Sequence, residues 1–154
     1  MAREIKFRGK VKYPEKGYTL FRNLKEGEWV CGDLHLNAAT PHIHTSRLET
    51  YPIDPETVGQ YTGLHGKNGV EIYEGDIVRW VRRGVHIEGR GVRDFVDNCE
   101  VYWDEKKHAF SMRYKISSGG GASGLLNFED DRVEEIYYEV IGNVYDNPEL
   151  VTEK

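Results

Sequence analysis

Polar and apolar residues alternate in short bursts along this chain, and each burst is closed by glycine, proline, asparagine or aspartate. That is the signature of β-strands with one face on a core. Glu4 to Arg8 alternates through Ile5 and Phe7 and predicts a first strand at or near a sheet edge. A lysine-rich turn over Lys10 to Lys16 precedes a strand at Tyr18 to Phe21, and the Lys25-Glu26-Gly27 turn precedes another at Glu28 to Leu36. Ala38 to Pro55 carries three prolines and reads as a connection holding short strands near His42 to Thr45 and Leu48 to Ile53. In the centre, Asn68-Gly69 is a dipeptide suited to a tight type I′ turn, flanked by Thr62, Leu64, Val70, Ile72 and Tyr73. Glu74-Gly75-Asp76 then turns the chain into Ile77 to Arg82.

The second half continues in the same way. Cys99 to Trp103 is a strand, separated from Ile77 to Arg82 by the glycine- and arginine-rich excursion Arg83 to Asp94, which predicts a projecting loop or hairpin. Asp104 to Lys107 is a polar turn, and Ala109 to Ile116 alternates through Phe110, Met112, Tyr114 and Ile116. Ser117 to Gly124 contains only Ser, Gly and Ala and predicts a flexible loop, while Glu129 to Glu135 has the acidity of a solvated helical turn. Ile136 to Tyr145 returns to strand, and Asn147-Pro148 sets a capping residue before a proline suited to open a short terminal helix.

Many short strands with frequent turn signals predict a mainly β fold: a small barrel-like, SH3-like core with extra strands and hairpins and few short helices. Ten tyrosines, five phenylalanines and three tryptophans favour the same class, because aromatic rings suit a half-buried pleated surface. At 154 residues the chain fits one domain, 1–154, in which an N-terminal β subregion, 1–58, precedes a barrel-like core, 59–150. The two cysteines, Cys31 and Cys99, are distant and lack a CxxC partner, so they read as reduced thiols of a cytoplasmic protein. No apolar run approaches the roughly 18 residues of a membrane span, and the start Met-Ala-Arg-Glu-Ile-Lys-Phe-Arg lacks the apolar segment of a signal peptide. A membrane role is not expected.

Three islands carry a family resemblance. They are Arg3-Glu-Ile-Lys-Phe-Arg8; Gln60-Tyr-Thr-Gly-Leu through Lys67-Asn-Gly and Ile72-Tyr-Glu-Gly-Asp-Ile-Val78; and Val140-Ile-Gly-Asn-Val-Tyr-Asp-Asn-Pro-Glu-Leu150. In this order and spacing the sequence resembles the YopX-like family, whose members are encoded in bacteriophages, prophages and mobile elements. The resemblance implies that origin, a bacterial cytoplasm, a β-rich fold and self-association, and it supplies no catalytic residues. Where the family often follows its first strand with a Trp-Asp pair, this chain has Gly9-Lys10-Val11. The Arg83 to Asp94 excursion and the glycine-rich loop look particular to this sequence.

Motifs for chemistry are weak. His42 and His44 are two apart, as are Asp33 and His35, which sets each pair on one strand face; a metal site needs three or four such ligands to converge, and a polar strand face is the preferred reading. His65, His86 and His108 fall in turns or loops. The acids Glu129, Asp130, Asp131, Glu134 and Glu135 lack the alternating ligands and central glycine of a calcium loop. No GxSxG elbow or phosphate-cradling GxxxxGK[ST] is present, so neither catalytic residue, cofactor nor metal is expected. The strongest hint is basic. Arg79, Trp80, Arg82, Arg83, Arg90 and Arg93 lie in a stretch whose acids are Glu88 and Asp94, a pattern suited to a β-ribbon on a nucleic-acid backbone or an acidic protein. The net charge of −5 weighs against broad nucleic-acid binding, and the same arginines can instead pair with the protein's own carboxylates. The sequence thus predicts a nonenzymatic, homo-oligomeric accessory module binding a host or phage macromolecule, with nucleic-acid binding through the ribbon 79–93 as the alternative.

Overall fold

The computed structural model describes residues 3–14, 23–36, 40–115, 121–126 and 131–151. It divides the chain into two compact units, Met1–Gly63 and Leu64–Lys154. The strand expected at Tyr18 to Phe21 lies outside the described residues.

In the first unit, β1 (Phe7–Lys10), β2 (Trp29–Leu36), β3 (Pro41–His44), β4 (Thr50–Pro52) and the start of β5 (Gly59–His65) form an antiparallel sheet in the order β4-β3-β2-β1-β5. The first strand is therefore central, not at an edge: Phe7 stands between Gly32 on β2 and Gln60 on β5. It tolerates that position because Val30, Ile43, Tyr51 and Ile53 cover it with Val11 as one apolar cluster. Gly9 belongs to this packing, since a Cβ there would meet Ile53 Cδ1 at 2.8 Å. Lys6, Arg8 and Lys10 keep their charged ends over rings, Lys6 on Tyr61 and the other two on Trp29.

In the second unit, the end of β5 pairs with β6 (Glu71–Tyr73). The connecting turn is where expected and of a different type. Gly66 N–H donates to Val70 O at 2.7 Å and Gly69 N–H to Gly66 O at 3.0 Å; φ is positive at Gly69 (74°) but not at Asn68. This is a three-residue loop, a type I turn closed by a left-handed glycine, and not the two-residue type I′ turn.

The second sheet contains β7 (Asp76–Ile87), β8 (Gly91–Asp104), β9 (Ala109–Lys115), β10 (Gly121–Leu125) and β11 (Glu135–Asn143), all antiparallel, in the order β10-β9-β8-β7-β11. One face buries Val78, Trp80, Cys99, Val101, Met112 and Tyr138 with Ile72 and Leu126. The β class is met, but the described strands do not close into a barrel: two open sheets stand in its place, because β10 and β11 end their sheet without pairing to each other. Part of the expected flexible loop is strand. Gly121 to Leu125 pairs with Lys115 to Ser111, which needs only backbone donors and acceptors and so no anchoring side chains; residues 116–120 lie outside the described set.

Two further expectations change at the end of the chain. The acidic helical turn is not formed by Asp131 to Glu134, which make turns and a bend before β11 begins at Glu135; Glu129 and Asp130 are outside the described residues. Glu134 and Glu135 are engaged instead by His86 and Arg83. A single 3-10 turn, Pro148–Leu150, follows Asn147, whose side chain makes no capping bond and lies over Gly142, 2.6 Å from where a Cβ would be.

Candidate binding surface on the β7–β8 ribbon

The excursion Arg83 to Asp94 is a regular hairpin, not a loose loop. β7 and β8 pair from Ile77–Glu100 to Ile87–Gly91, with a bulge between Arg82 and Val85 where Gly84 takes φ 64°. Glycines at 89 (φ 72°) and 91 (φ 78°) close its tip.

Regular alternation deals the candidate residues to different surfaces. Trp80 is 9% exposed and packs in the core, with the Arg82 guanidinium 3.8 Å from its ring centroid, so its face is closed to a stacking base. Arg82 also pairs with Asp97 and lies 5.1 Å from the Phe95 ring centroid. Arg79 pairs with Glu139 at 3.1 Å and Arg83 with Glu135 at 3.7 Å, carboxylates that β11 places directly across the ladder. Asp94 accepts a hydrogen bond from Gly84 N–H at 2.9 Å and so holds the bulge. Arg90 and Arg93, near the tip, are exposed and pair with no acid among the described residues. The six residues thus do not converge on one basic groove. At the base of the ribbon Arg113 grips Glu100 through two bonds, 2.8 and 2.7 Å, which raise the arginine's pKa further above its ordinary value.

The long hairpin leaves a different feature, which sequence reasoning missed. β9 pairs only with Glu100 to Asp104 of β8, and no described strand lies beside the outer stretch Gly91 to Asn98 on its side away from β7. Which backbone groups this frees follows from the ladder. Leu126 N–H donates to Phe110 O at 3.1 Å, so Phe110 faces β10, while Ser111 and Arg113 face β8 and engage Tyr102 and Glu100. The odd residues of β8 then face β7, in agreement with the bond from Gly75 N–H to Val101 O at 2.8 Å. Counting back, Val92, Asp94, Val96 and Asn98 turn N–H and C=O away from the sheet. His86 supports this at the tip: its N–H donates to Arg132 O at 2.9 Å, away from β8, and its cross-strand partner is Val92. Along this edge Val92 is 53%, Phe95 37% and Val96 59% exposed.

In the first unit, β2 and β3 bring the histidines to one face. His35 stands across from His42 and Asp33 from His44, and the His35 and His44 rings are 4.0 Å apart at their centroids. With Leu36 and Thr50 they line a shallow hollow of about 330 Å³. His42 Nδ1 lies 2.8 Å from Thr40 O and His44 Nδ1 3.4 Å from Thr50 Oγ1. Among the described residues no three His, Cys, Asp or Glu side chains are grouped to hold a metal ion. Both cysteines are free: Cys31 is exposed, and burial pushes the Cys99 thiol up to about 12.

The recurrent residues of the sequence islands have structural tasks. Asp76 is buried and accepts a bond from Tyr73 N–H at 2.8 Å, tying the Glu74-Gly75 turn. Gly75 (φ 86°) passes under Tyr145, and its O accepts from Val144 N–H at 2.9 Å, so the Glu-Gly-Asp and Gly-Asn-Val-Tyr islands fold onto one another. Asn143 Oδ1 accepts from the N–H groups of Tyr145 and Asp146 at 3.0 and 2.9 Å, closing the turn after β11. The family model described as YopX protein matches residues 6–152. The chain belongs to the YopX family. No curated protein matches it. In this YopX member the islands thus build turns and packing. Among the described residues no helix is long and apolar enough to cross a membrane.

Proposed function

We propose that this YopX protein is a nonenzymatic accessory protein of a phage, prophage or other mobile element, a module that associates with itself and binds a macromolecule of host or phage in the bacterial cytoplasm. The observation that carries this reading is the outer edge of β8, which no described strand covers, with its outward backbone groups and exposed Val92, Phe95 and Val96. Such an edge templates pairing with another chain unless it is covered or blunted. The reading is also supported by what the arginines do: the ion pairs of Arg79, Arg82, Arg83 and Arg113 hold strands together.

Nucleic acid is the weaker alternative, resting on exposed Arg90 and Arg93 alone once the other three ribbon arginines are matched by carboxylates. Light scattering coupled to size exclusion at micromolar concentration tests the proposal, which expects a mass that is a multiple of 17.8 kDa. A monomer throughout, together with salt-sensitive retention on single-stranded DNA, would favour the alternative.

A further inference from the structure

We infer that the occupant of the outer edge of β8 is a second copy of this chain, and that two β8 strands pair antiparallel across a two-fold axis passing beside Phe95. This rests on the self-association proposed above and specifies its surface and register. The odd residues of β8 spend their backbone groups on β7, so the new ladder is made by Val92, Asp94, Val96 and Asn98, and only registers that set even residues opposite even residues bond. Charge separates the three central ones. An axis at Asp94 opposes that carboxylate to itself, a destabilising like-charge pair. An axis at Val96 sets Arg93 opposite the partner's Cys99 and Phe95 opposite the partner's Asp97, which leaves each arginine without an acid. The axis at Phe95 sets Arg93 opposite the partner's Asp97, and by symmetry Asp97 opposite the partner's Arg93, with the two phenyl rings facing between them.

The same register bonds Val92 to the partner's Asn98 and Asp94 to the partner's Val96. It stops where β9 takes over the edge at Glu100, so the fold itself limits the length of the interface. Two-fold pairing consumes the β8 edge of both chains, so this interface by itself yields a dimer and not a growing fibre.

The test uses one proline substitution and a set of cysteine substitutions in the full chain. Val96→Pro removes an outward donor, not one bonded to β7, and should raise the dimer dissociation constant about tenfold or more, read as a fall in mass on dilution. Phe95→Cys, in a Cys31→Ser background, sets two thiols face to face at the axis and should give a disulfide dimer on a non-reducing gel under mild oxidant; Val92→Cys in that background should not. If the wild-type chain is oligomeric but Val96→Pro leaves its mass unchanged and Phe95→Cys stays monomeric on the gel, this interface is wrong and self-association stands on another surface. Efficient cross-linking of Asp94→Cys or Val96→Cys with none at Phe95→Cys overturns the register. A wild-type monomer at every concentration overturns the interface and the self-association together. Should Val96→Pro fail to fold by circular dichroism, the cysteine variants decide alone.

Discussion

The two halves of β8 share one strand, and they meet opposite fates. From Cys99 to Asp104 the strand passes from β7, whose pairing ends at Glu100, to β9, whose pairing begins there, and Cys99 and Val101 are fully buried. From Gly91 to Asn98 its one described neighbour is β7, and Val92 and Val96 are more than half exposed. Apolar residues hold alternate positions at Cys99, Val101 and Trp103, whereas in the outer stretch Val92 and Val96 lie on the opposite face with Asp94 between them. What also differs is the length of the neighbours: β9 ends its pairing at Glu100, while β7 and β8 run on together. An apolar residue in a strand therefore states a preference, whereas what packs over its face and beside its strand decides whether it is core or surface.

The sharpest way to mark the boundary is chemical. Cys99 is the first residue of the covered half, and with its thiol pushed from the ordinary 9.0 to about 12 it should alkylate about a thousandfold more slowly than an ordinary thiol at pH 8. Exposed Cys31 should react at once, so thiol titration should count one fast group in the native chain and two in denaturant. The sign for stability follows. Between pH 9.0 and about 12 the folded chain keeps a proton that the unfolded chain has lost, so this thiol's contribution to stability declines as pH rises through that window, and chemical denaturation at stepped pH checks it.

Removing the cover of the inner half is the next largest effect. Met112 lies across from Val101 on β9 and is 1% exposed, so Met112→Ala should cost about 2–5 kcal/mol in urea unfolding. Gly69→Val in the β5–β6 turn should cost about 1–2 kcal/mol, since nothing crowds the site and the whole penalty is a branched residue forced to φ 74°. A result near zero would mean the loop can reset to another turn. Arg79→Ala should cost under about 1 kcal/mol because its pair with Glu139 is half exposed. Smallest of all, Val96→Ala should change monomer stability by less than about 0.5 kcal/mol; a core-sized loss there would erase the contrast between the halves.

Much of this was legible in the chain. Strand positions, the turns at Lys25-Gly27, Glu74-Asp76 and Asp104-Lys107, and the free thiols follow from alternation, turn chemistry and cysteine spacing. The misses have a common cause. Asn68-Gly69 marks a turn, but whether two or three residues form it depends on the register of Gly66 with Val70, which is a pairing and not a local preference. The central place of β1, the strand at Gly121 to Leu125 and the open sheets likewise depend on which strands meet. The arginine ribbon was visible as composition, yet the partners that neutralise it arrive from β11 and Asp97. The outer edge of β8 has no residue signature at all; its one sequence signal is that the strands around the excursion outlast the next alternating run.

The ladder between β7 and β11 carries a consequence for the order of events during synthesis. Arg79 and Glu139 face each other across 60 residues of chain, whereas β7 finds β8 through a short tip. The hairpin can zip as soon as it leaves the ribosome, but at about 5–20 residues per second its other flank waits some seconds for β11 to be made. In that interval β7 offers a row of unmatched carbonyls and amides, with Arg79 and Arg83 still lacking their carboxylates. Those two cations are a charged guard on a strand that would otherwise be adhesive, and they lose that task once Glu139 and Glu135 dock beside them.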